Sequence, residues 1–187
     1  MILYIHGFGG SGEGVKAKAF REYFKNKDKF IAPSLSYVPN LAISTLKEII
    51  KNCQNEKINL IGSSLGGFYA IYLAHLFNLK SVLINPSIYP WETLERFTKE
   101  EKRGLNFYDL SYFEFNNIHL ESLKAFRVKN IKKDLFFLLL QKDDDVIDYK
   151  IAFNIFKGAK VILDEGGGHS FENINDYFLE IEKFFKE

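Results

Sequence analysis

Short apolar runs alternate with segments of helical periodicity along most of the chain, and this alternation restricts the fold more than any other feature. Six runs have the length and composition of buried strands: 2–6, 30–35, 57–63, 81–86, 134–141 and 160–164. Helical patterns lie between or after them, at 15–27, 41–53, 64–77, 149–156 and 171–186. Repeated strand–helix–strand units favour strands that run in the same direction. The sequence therefore predicts an α/β fold with a six-stranded, mostly parallel sheet and helices on both faces.

One stretch, from residue 87 to about residue 132, interrupts this alternation. It is rich in aromatic side chains and has helical patterns only at 91–98 and 120–126. Because ordinary connections are much shorter, we interpret the stretch as an insertion with the character of a lid. No linker, repeat or low-complexity tract divides the sequence. We therefore predict a single domain over residues 1–187 that carries this lid-like insertion.

The composition narrows the classes of function. The chain has 187 residues and a formal net charge of +1, so we expect no nucleic-acid partner. Cys53 is the only cysteine, which excludes an internal disulfide and is typical of a reducing compartment. The sequence has neither the pattern of a signal peptide nor an apolar stretch of about 18 residues. We expect a cytoplasmic protein without a membrane span, and the oligomeric state is not predicted.

The glycine loop after the first strand, GFGGSGEG, has the G-x-G-x-x-G spacing of a dinucleotide-binding loop. A nucleotide P-loop would need Lys and then Ser or Thr after Gly12, but Glu13 follows it. A dinucleotide site would need an acid at the end of the second strand, whereas Asp28 precedes that strand. We therefore expect no nucleotide or other cofactor. A plain turn would explain the glycines, but it gives no role to His6 and Gly7 at the strand end.

The third predicted strand runs into GSSLG, a G-x-S-x-G motif centred on Ser64 that opens an apolar helix. This is the setting of a nucleophile elbow, in which a sharp strand-to-helix turn lifts the serine above the carboxyl edge of the sheet. The amide of Leu65 would point to a developing oxyanion. The alternative is an ordinary turn in which Ser63 or Ser64 caps the helix. That turn would not need Gly66 and Gly67, which lower helix stability, so we favour Ser64 as a nucleophile.

A serine nucleophile needs a base and an acid. Among four histidines, only His169, in EGGGHSF, combines a loop at the carboxyl edge of the sheet with a late position in the chain. The acid should follow the penultimate strand, which is followed by Asp143, Asp144, Asp145 and Asp148. Asp148 directly precedes a helix and fits an N-cap. We choose Asp144, although spacing alone does not separate it from its two neighbours. The acidic triplet lacks EF-hand spacing, so we expect no metal.

The chain order Ser64, Asp144, His169 is that of α/β-hydrolases. The chain resembles the α/β-hydrolase superfamily in this order and in five sequence segments. These segments are ILYIHGF, GSSLGGFYA, INPSIYPWETL, DDDVIDYKIA and EGGGHSF. Within it the chain is similar, over essentially its whole length, to the small bacterial YqiA-like esterases. The resemblance implies a three-layer sandwich with strand order 2-1-3-4-5-6 and places the family's triad on these three residues. Asp143 stands where such enzymes more often carry glycine, so the choice among the acids stays open.

The resemblance also implies hydrolysis of small acyl esters or acyl thioesters through an acyl-enzyme, without a cofactor. We expect the backbone amides of Phe8 and Leu65 to bind the oxyanion. The alternative is a non-catalytic protein of this fold that binds a ligand or partner, because fold does not guarantee activity. The aromatic side chains of the insertion are interpreted either as an apolar acyl pocket or as the insertion's own core. They are Tyr89, Trp91, Phe97, Phe107, Tyr108, Tyr112, Phe113 and Phe115.

Overall fold

A computed structural model describes residues 1–53, 55–99 and 103–187. Eight strands lie in these parts of the chain. They are β1 (Ile2–Ile5), β2 (Phe30–Ile31), β3 (Asn59–Ser63), β4 (Ser81–Ile84), β5 (Arg103–Leu105), β6 (Tyr112–Glu114), β7 (Phe136–Gln141) and β8 (Lys160–Asp164). The main sheet has the order β2-β1-β3-β4-β7-β8, and every neighbouring pair in it is parallel. The predicted fold class and strand order are therefore confirmed, with β7 and β8 as the fifth and sixth predicted strands.

The fifth and sixth predicted strands are numbered β7 and β8 because a small antiparallel sheet, which we did not predict from the sequence, precedes them in the chain. Strands β5 and β6 pair with each other inside the insertion, with Gly104 opposite Phe113. Each strand is only three residues long, too short for an alternating pattern to stand out from its surroundings. A side chain at Gly104 would collide with the Phe113 ring, so the pairing depends on glycine at that position.

The helices cover both faces of the main sheet. They are α1 (Val15–Phe24), α2 (Pro39–Asn52), α3 (Leu65–Phe77), α4 (Pro90–Thr93), α5 (Arg96–Lys99), α6 (Asn117–Ser122), α7 (Tyr149–Ile155) and α8 (Phe178–Lys186). Short 3₁₀ turns lie at Leu123–Phe126, Lys133–Leu135 and Ile174–Tyr177. In the described chain, no helix is long and apolar enough to cross a membrane.

Two apolar cores separate the layers. Successive residues of a strand point to opposite faces, so Leu3 and Ile5 join one core while Ile2 and Tyr4 join the other. The first core is shared with α2, α3, α7 and the insertion, and the second with α1 and α8. This arrangement is the predicted three-layer sandwich.

Several predicted elements are shorter than the sequence patterns indicated. The second strand was predicted at 30–35 but ends at Ile31, and Pro33 lacks the amide hydrogen that a longer ladder would use. The last helix was predicted from residue 171 but begins at Phe178. Phe171 has a φ of 51°, which an α-helix does not accommodate, and a 3₁₀ turn occupies Ile174–Tyr177. Residues 100–102, within the predicted lid, lie outside the described residues. That the insertion acts as a lid, and that the chain is one domain, stay predictions.

Candidate active site

The carboxyl ends of the parallel strands bring four chain segments to one edge of the sheet. The glycine loop follows β1, Ser64 follows β3, Asp144 follows β7 and His169 follows β8. In an open α/β sheet this edge is where ligands bind. The topology therefore places all the sequence-predicted site residues on the same side of the molecule.

The turn from β3 into α3 holds Ser64 in a strained conformation. Its φ is 54° and its ψ is −120°, a region that residues with a side chain rarely adopt. A Cβ on Gly66 would lie 2.5 Å from the His6 carbonyl oxygen, and one on Gly7 would lie 3.0 Å from the Ser64 Cβ. The glycines thus permit β1, the turn and α3 to approach closely. Strain at a residue that the fold over-determines is typical of functional sites.

Ser64, His169 and Asp144 form one continuous chain of hydrogen bonds. The Ser64 Oγ lies 2.9 Å from the His169 Nε2, and the His169 Nδ1 lies 2.9 Å from the Asp144 Oδ2. Because an ionised carboxylate only accepts hydrogen bonds, Nδ1 carries the proton, which leaves Nε2 to accept from the serine hydroxyl. This is the protonation state in which an imidazole can act as a base towards the serine.

The carboxylate of Asp144 is buried and accepts hydrogen bonds through both of its oxygens. Its side chain is 1% exposed, and its Oδ1 accepts hydrogen bonds from the amides of Val146 at 2.9 Å and Ile147 at 2.8 Å. Asp143 and Asp145 are exposed, whereas the Asp148 side chain accepts from the Lys150 amide as the N-cap of α7. Of the acids that spacing could not separate, Asp144 is the one that hydrogen-bonds to His169 within the described chain.

Two backbone amides beside Ser64 have no acceptor in the described parts of the chain. They belong to Phe8 and to Leu65, the first residue of α3. The first amides of a helix lack intrahelical partners and carry the positive end of its dipole. These are the two amides that we expected from the sequence to bind an oxyanion. Within the described chain, both amides therefore remain without a hydrogen-bond acceptor.

His6 orients one of these donors, a role that sequence patterns did not reveal. The Leu35 amide donates to its Nε2 at 2.9 Å, so the proton sits on Nδ1, which donates to the Gly7 carbonyl oxygen at 2.8 Å. Because the peptide is planar and trans, holding the Gly7 oxygen also fixes the direction of the Phe8 N–H. Burial lowers the pKa of His6, partly offset by its bond to Gly7, which favours this neutral form.

A polar network, buried at Asn85 and Gln141, holds the loop that carries His169. The Asn85 side chain accepts from the Gln141 amide at 2.9 Å and donates to the Gly168 carbonyl at 3.3 Å. The Gln141 side chain donates to Asn173 at 2.7 Å, and Asn173 donates to Asp164 at 2.7 Å. Hydrogen bonds from Asn173 and Tyr177 lower the pKa of Asp164. These residues are far apart in the sequence, so no local pattern could have identified them.

A cavity of about 610 Å³ opens next to Ser64. Its wall comes from the glycine loop, from the start of α1 and from the segment around His169. Of the eight aromatic residues proposed for an acyl pocket, only Phe107 lines it. Phe107 is thus the one of the eight that lies where the pocket interpretation requires it, and an acyl-binding role for it stays a prediction.

The interpretation as the insertion's own core fits Phe113 and Phe115, which are buried. Their rings lie 5.2 and 4.9 Å from the ring of Phe8, and the Phe97 ring lies 4.8 Å from it. In addition, the Phe107 amide donates to the Gly9 carbonyl oxygen at 2.8 Å. The insertion therefore packs against the same loop that presents the Phe8 amide.

Comparison with solved structures defines the class of fold. The chain superposes on the mouse alpha/beta hydrolase domain-containing protein 10 with a TM-score of 0.75 at 17% identity, covering 99% of this chain and 89% of that one. A structure of Est1E from Butyrivibrio proteoclasticus with bound ferulic acid gives 0.70 at 13% identity, covering 99% and 86%. At such identities the likeness concerns the fold alone, which is that of the α/β-hydrolases, as the resemblance implied.

The family follows from sequence comparison. A family model described as "Uncharacterised protein family (UPF0227)" matches residues 1–186, and the chain belongs to this family. The UPF0227 protein YcfP of Salmonella paratyphi A is 26% identical over 190 residues, with 98% of each chain covered.

Proposed function

We propose that this protein is a serine hydrolase, a carboxylesterase that cleaves small acyl esters or acyl thioesters through an acyl-enzyme. One observation carries the proposal: the Ser64 hydroxyl, the His169 imidazole and the buried Asp144 carboxylate are joined by two hydrogen bonds of 2.9 Å. A serine hydroxyl is a weak nucleophile until a base takes its proton. The same three roles, in the same geometry, perform acyl transfer on several unrelated folds.

In the first half of the reaction, Ser64 attacks the acyl carbonyl carbon while His169 Nε2 accepts the hydroxyl proton. Asp144 holds the ring in the required tautomer and stabilises the imidazolium by its negative charge. The carbonyl oxygen becomes an oxyanion, and the free amides of Phe8 and Leu65 donate to it. His169 then protonates the leaving alcohol or thiol as its bond to the acyl carbon breaks.

In the second half, water replaces the alcohol. His169 takes a proton from the water, whose oxygen attacks the acyl-enzyme, and returns that proton to Ser64 as the carboxylic acid leaves. The cavity of about 610 Å³ lies within the range of small-molecule sites. The bound ferulic acid of Est1E shows that one protein of this fold accommodates a small carboxylic acid, which supports the same class of ligand here.

The alternative is a non-catalytic protein that uses the same cavity to bind a ligand. A panel of p-nitrophenyl esters and acyl thioesters, assayed with wild type and Ser64→Ala, separates the two. We expect turnover by wild type, loss of it in Ser64→Ala, and unchanged rates in Ser44→Ala, which alters an exposed serine of α2. Failure of folded wild type to hydrolyse any member of the panel would favour the binding protein.

A further inference from the structure

The wall of the cavity contains a lysine whose charge does not stabilise the helix that carries it. Lys16 lies in the first turn of α1 and lines the cavity together with Ser64 and His169. A cation in the first turn opposes the helix dipole, which favours acidic residues there. The preceding N-cap residue, Gly14, offers no side-chain cap. The placement of Lys16 is therefore explained better by the cavity than by the helix.

The ammonium group of Lys16 has unused donors. Within residues 1–53, 55–99 and 103–187 it donates one hydrogen bond, at 2.6 Å, to the carbonyl oxygen of Ser170, and an ammonium carries three donors. No carboxylate of the described chain forms an ion pair with it. Burial lowers its pKa, while the nearby charge of Asp144 raises it. The cavity thus contains a partly desolvated cation with capacity for an anionic partner.

The other ionisable groups in or beside the cavity do not supply the anionic partner of Lys16. A bound ligand would therefore have to supply it. Glu172 also lines the cavity but is exposed to solvent. The Asp144 carboxylate is occupied by His169 and by two backbone amides. His6 is held neutral by burial and by the Leu35 amide, which donates to its Nε2. Among the groups lining the cavity, Lys16 is the one placed to bind a negative charge on a substrate.

We propose that the preferred substrates are esters or thioesters that carry a carboxylate, and that Lys16 binds this carboxylate as a specificity-determining residue. The inference rests on the proposed function, because it assigns a substrate class to the site of Ser64. It adds a polar contact to the cavity, which an apolar acyl pocket, one of the two interpretations of the aromatic residues, would not include. A charge-assisted hydrogen bond between an ammonium and a carboxylate is stronger than a neutral one, so discrimination should be large.

The test compares esters with and without a carboxylate, and the comparison between wild type and variants cancels their intrinsic differences in reactivity. The p-nitrophenyl hemiesters of succinate, glutarate and adipate are assayed beside the neutral p-nitrophenyl esters of the same chain lengths, with the spontaneous rate subtracted. A second arm, 4-acetoxybenzoate against phenyl acetate, places the carboxylate on the leaving group instead. The anionic-to-neutral ratio of kcat/KM is measured for wild type, Lys16→Met and Lys16→Arg. Lys18→Met, an exposed lysine of the same helix, is the control.

We expect the ratio to fall about tenfold to a hundredfold in Lys16→Met, the range of one charge-assisted bond. Lys16→Arg should keep most of the preference and Lys18→Met all of it. A ratio that stays constant in Lys16→Met, in both arms, would overturn the inference. If rates on neutral and charged esters fall together, Lys16 acts only by holding Ser170, and the inference is equally wrong.

A binding measurement separates this failure from failure of the proposed function. Glutarate is titrated calorimetrically into wild type and Lys16→Met, which requires no turnover. Binding that weakens at least about tenfold in Lys16→Met supports the anion site even if no ester is hydrolysed. Equal binding by both proteins, or none by wild type, contradicts it whatever the esterase assays give.

Discussion

His6 and Gly7 are joined by a hydrogen bond of 2.8 Å from the imidazole Nδ1 to the carbonyl oxygen. The Gly10 amide donates to the same oxygen at 3.0 Å. Two donors therefore fix the peptide plane between Gly7 and Phe8, and with it the direction of the Phe8 amide. In the proposed mechanism this amide binds the oxyanion, so His6 acts there as a positioning residue through the Gly7 carbonyl oxygen.

Replacement of His6 should reduce turnover more than substrate binding. Loss of one oxyanion donor costs about 10² to 10³ in kcat, and a misdirected donor should cost less, about tenfold to a hundredfold. We expect His6→Gln to show this loss in kcat on a p-nitrophenyl ester, with KM within about twofold of wild type. His75→Gln, an exposed histidine of α3, should behave as wild type. A rise in KM alone would show that His6 acts on substrate binding instead.

Stability should depend on pH through the same residue. Burial lowers the pKa of folded His6 below its ordinary value of 6.5, so between the two values the unfolded chain binds more protons. The contribution of His6 to the free energy of unfolding is therefore complete above pH 6.5. It is lost as the pH falls towards the lower pKa of His6 in the folded protein. Urea midpoints from pH 7.5 to pH 5 should fall more steeply for wild type than for His6→Gln. Parallel slopes for the two proteins would argue against a buried neutral imidazole.

Replacing one acid of the triplet should affect catalysis much more than replacing the others. Asn at position 144 keeps an oxygen that can accept from the Val146 and Ile147 amides but cannot hold the His169 tautomer. We expect Asp144→Asn to lower kcat by about 10³ to 10⁴, with folding preserved by circular dichroism. Asp143→Asn and Asp145→Asn, both on the exposed loop, should remain within about twofold. A comparable loss of kcat in Asp143→Asn or Asp145→Asn would identify that residue as the acid of the triad instead.

The elbow glycines should be sensitive to a single methyl group. A Cβ on Gly66 would collide with backbone oxygens at the end of β1, whereas one on Gly166 would have no neighbour within 4 Å. Gly66→Ala should lose about 1–3 kcal/mol of unfolding free energy or more, measured by urea denaturation. Gly166→Ala should change it by less than about 0.5 kcal/mol. Equal stabilities would mean that the turn has more room than the contacts indicate.

The parallel sheet and the candidates Ser64 and His169 were accessible from sequence because each depends on local signals, whereas the order of the strands came from the family resemblance. A strand run, a glycine-flanked serine and a late histidine can be read within a few residues, and the topology of parallel units then brings strand ends together. The choice of Asp144 over Asp143 was not accessible in this way. It depends on which side chain turns inward to meet His169.

Features built from long-range contacts were missed or misjudged. The support of the His169 loop joins Asn85, Gln141 and Asp164 across three strand ends, and no periodicity links them. The aromatic residues of the insertion have the same composition whether they form a pocket or a core, so only their packing around Phe8 distinguishes the two. The strand β2 was overestimated since apolar composition does not register the missing amide of Pro33.

Labelling by a fluorophosphonate tests the central claim most directly, because this probe reacts covalently with an activated serine and needs no knowledge of the substrate. We predict that wild type is labelled, with the adduct located by mass spectrometry on Ser64, and that Ser64→Ala is not. Ser63→Ala, which removes the adjacent hydroxyl, should still be labelled. Labelling of folded Ser64→Ala at the rate of wild type would contradict the assignment of Ser64 as the nucleophile.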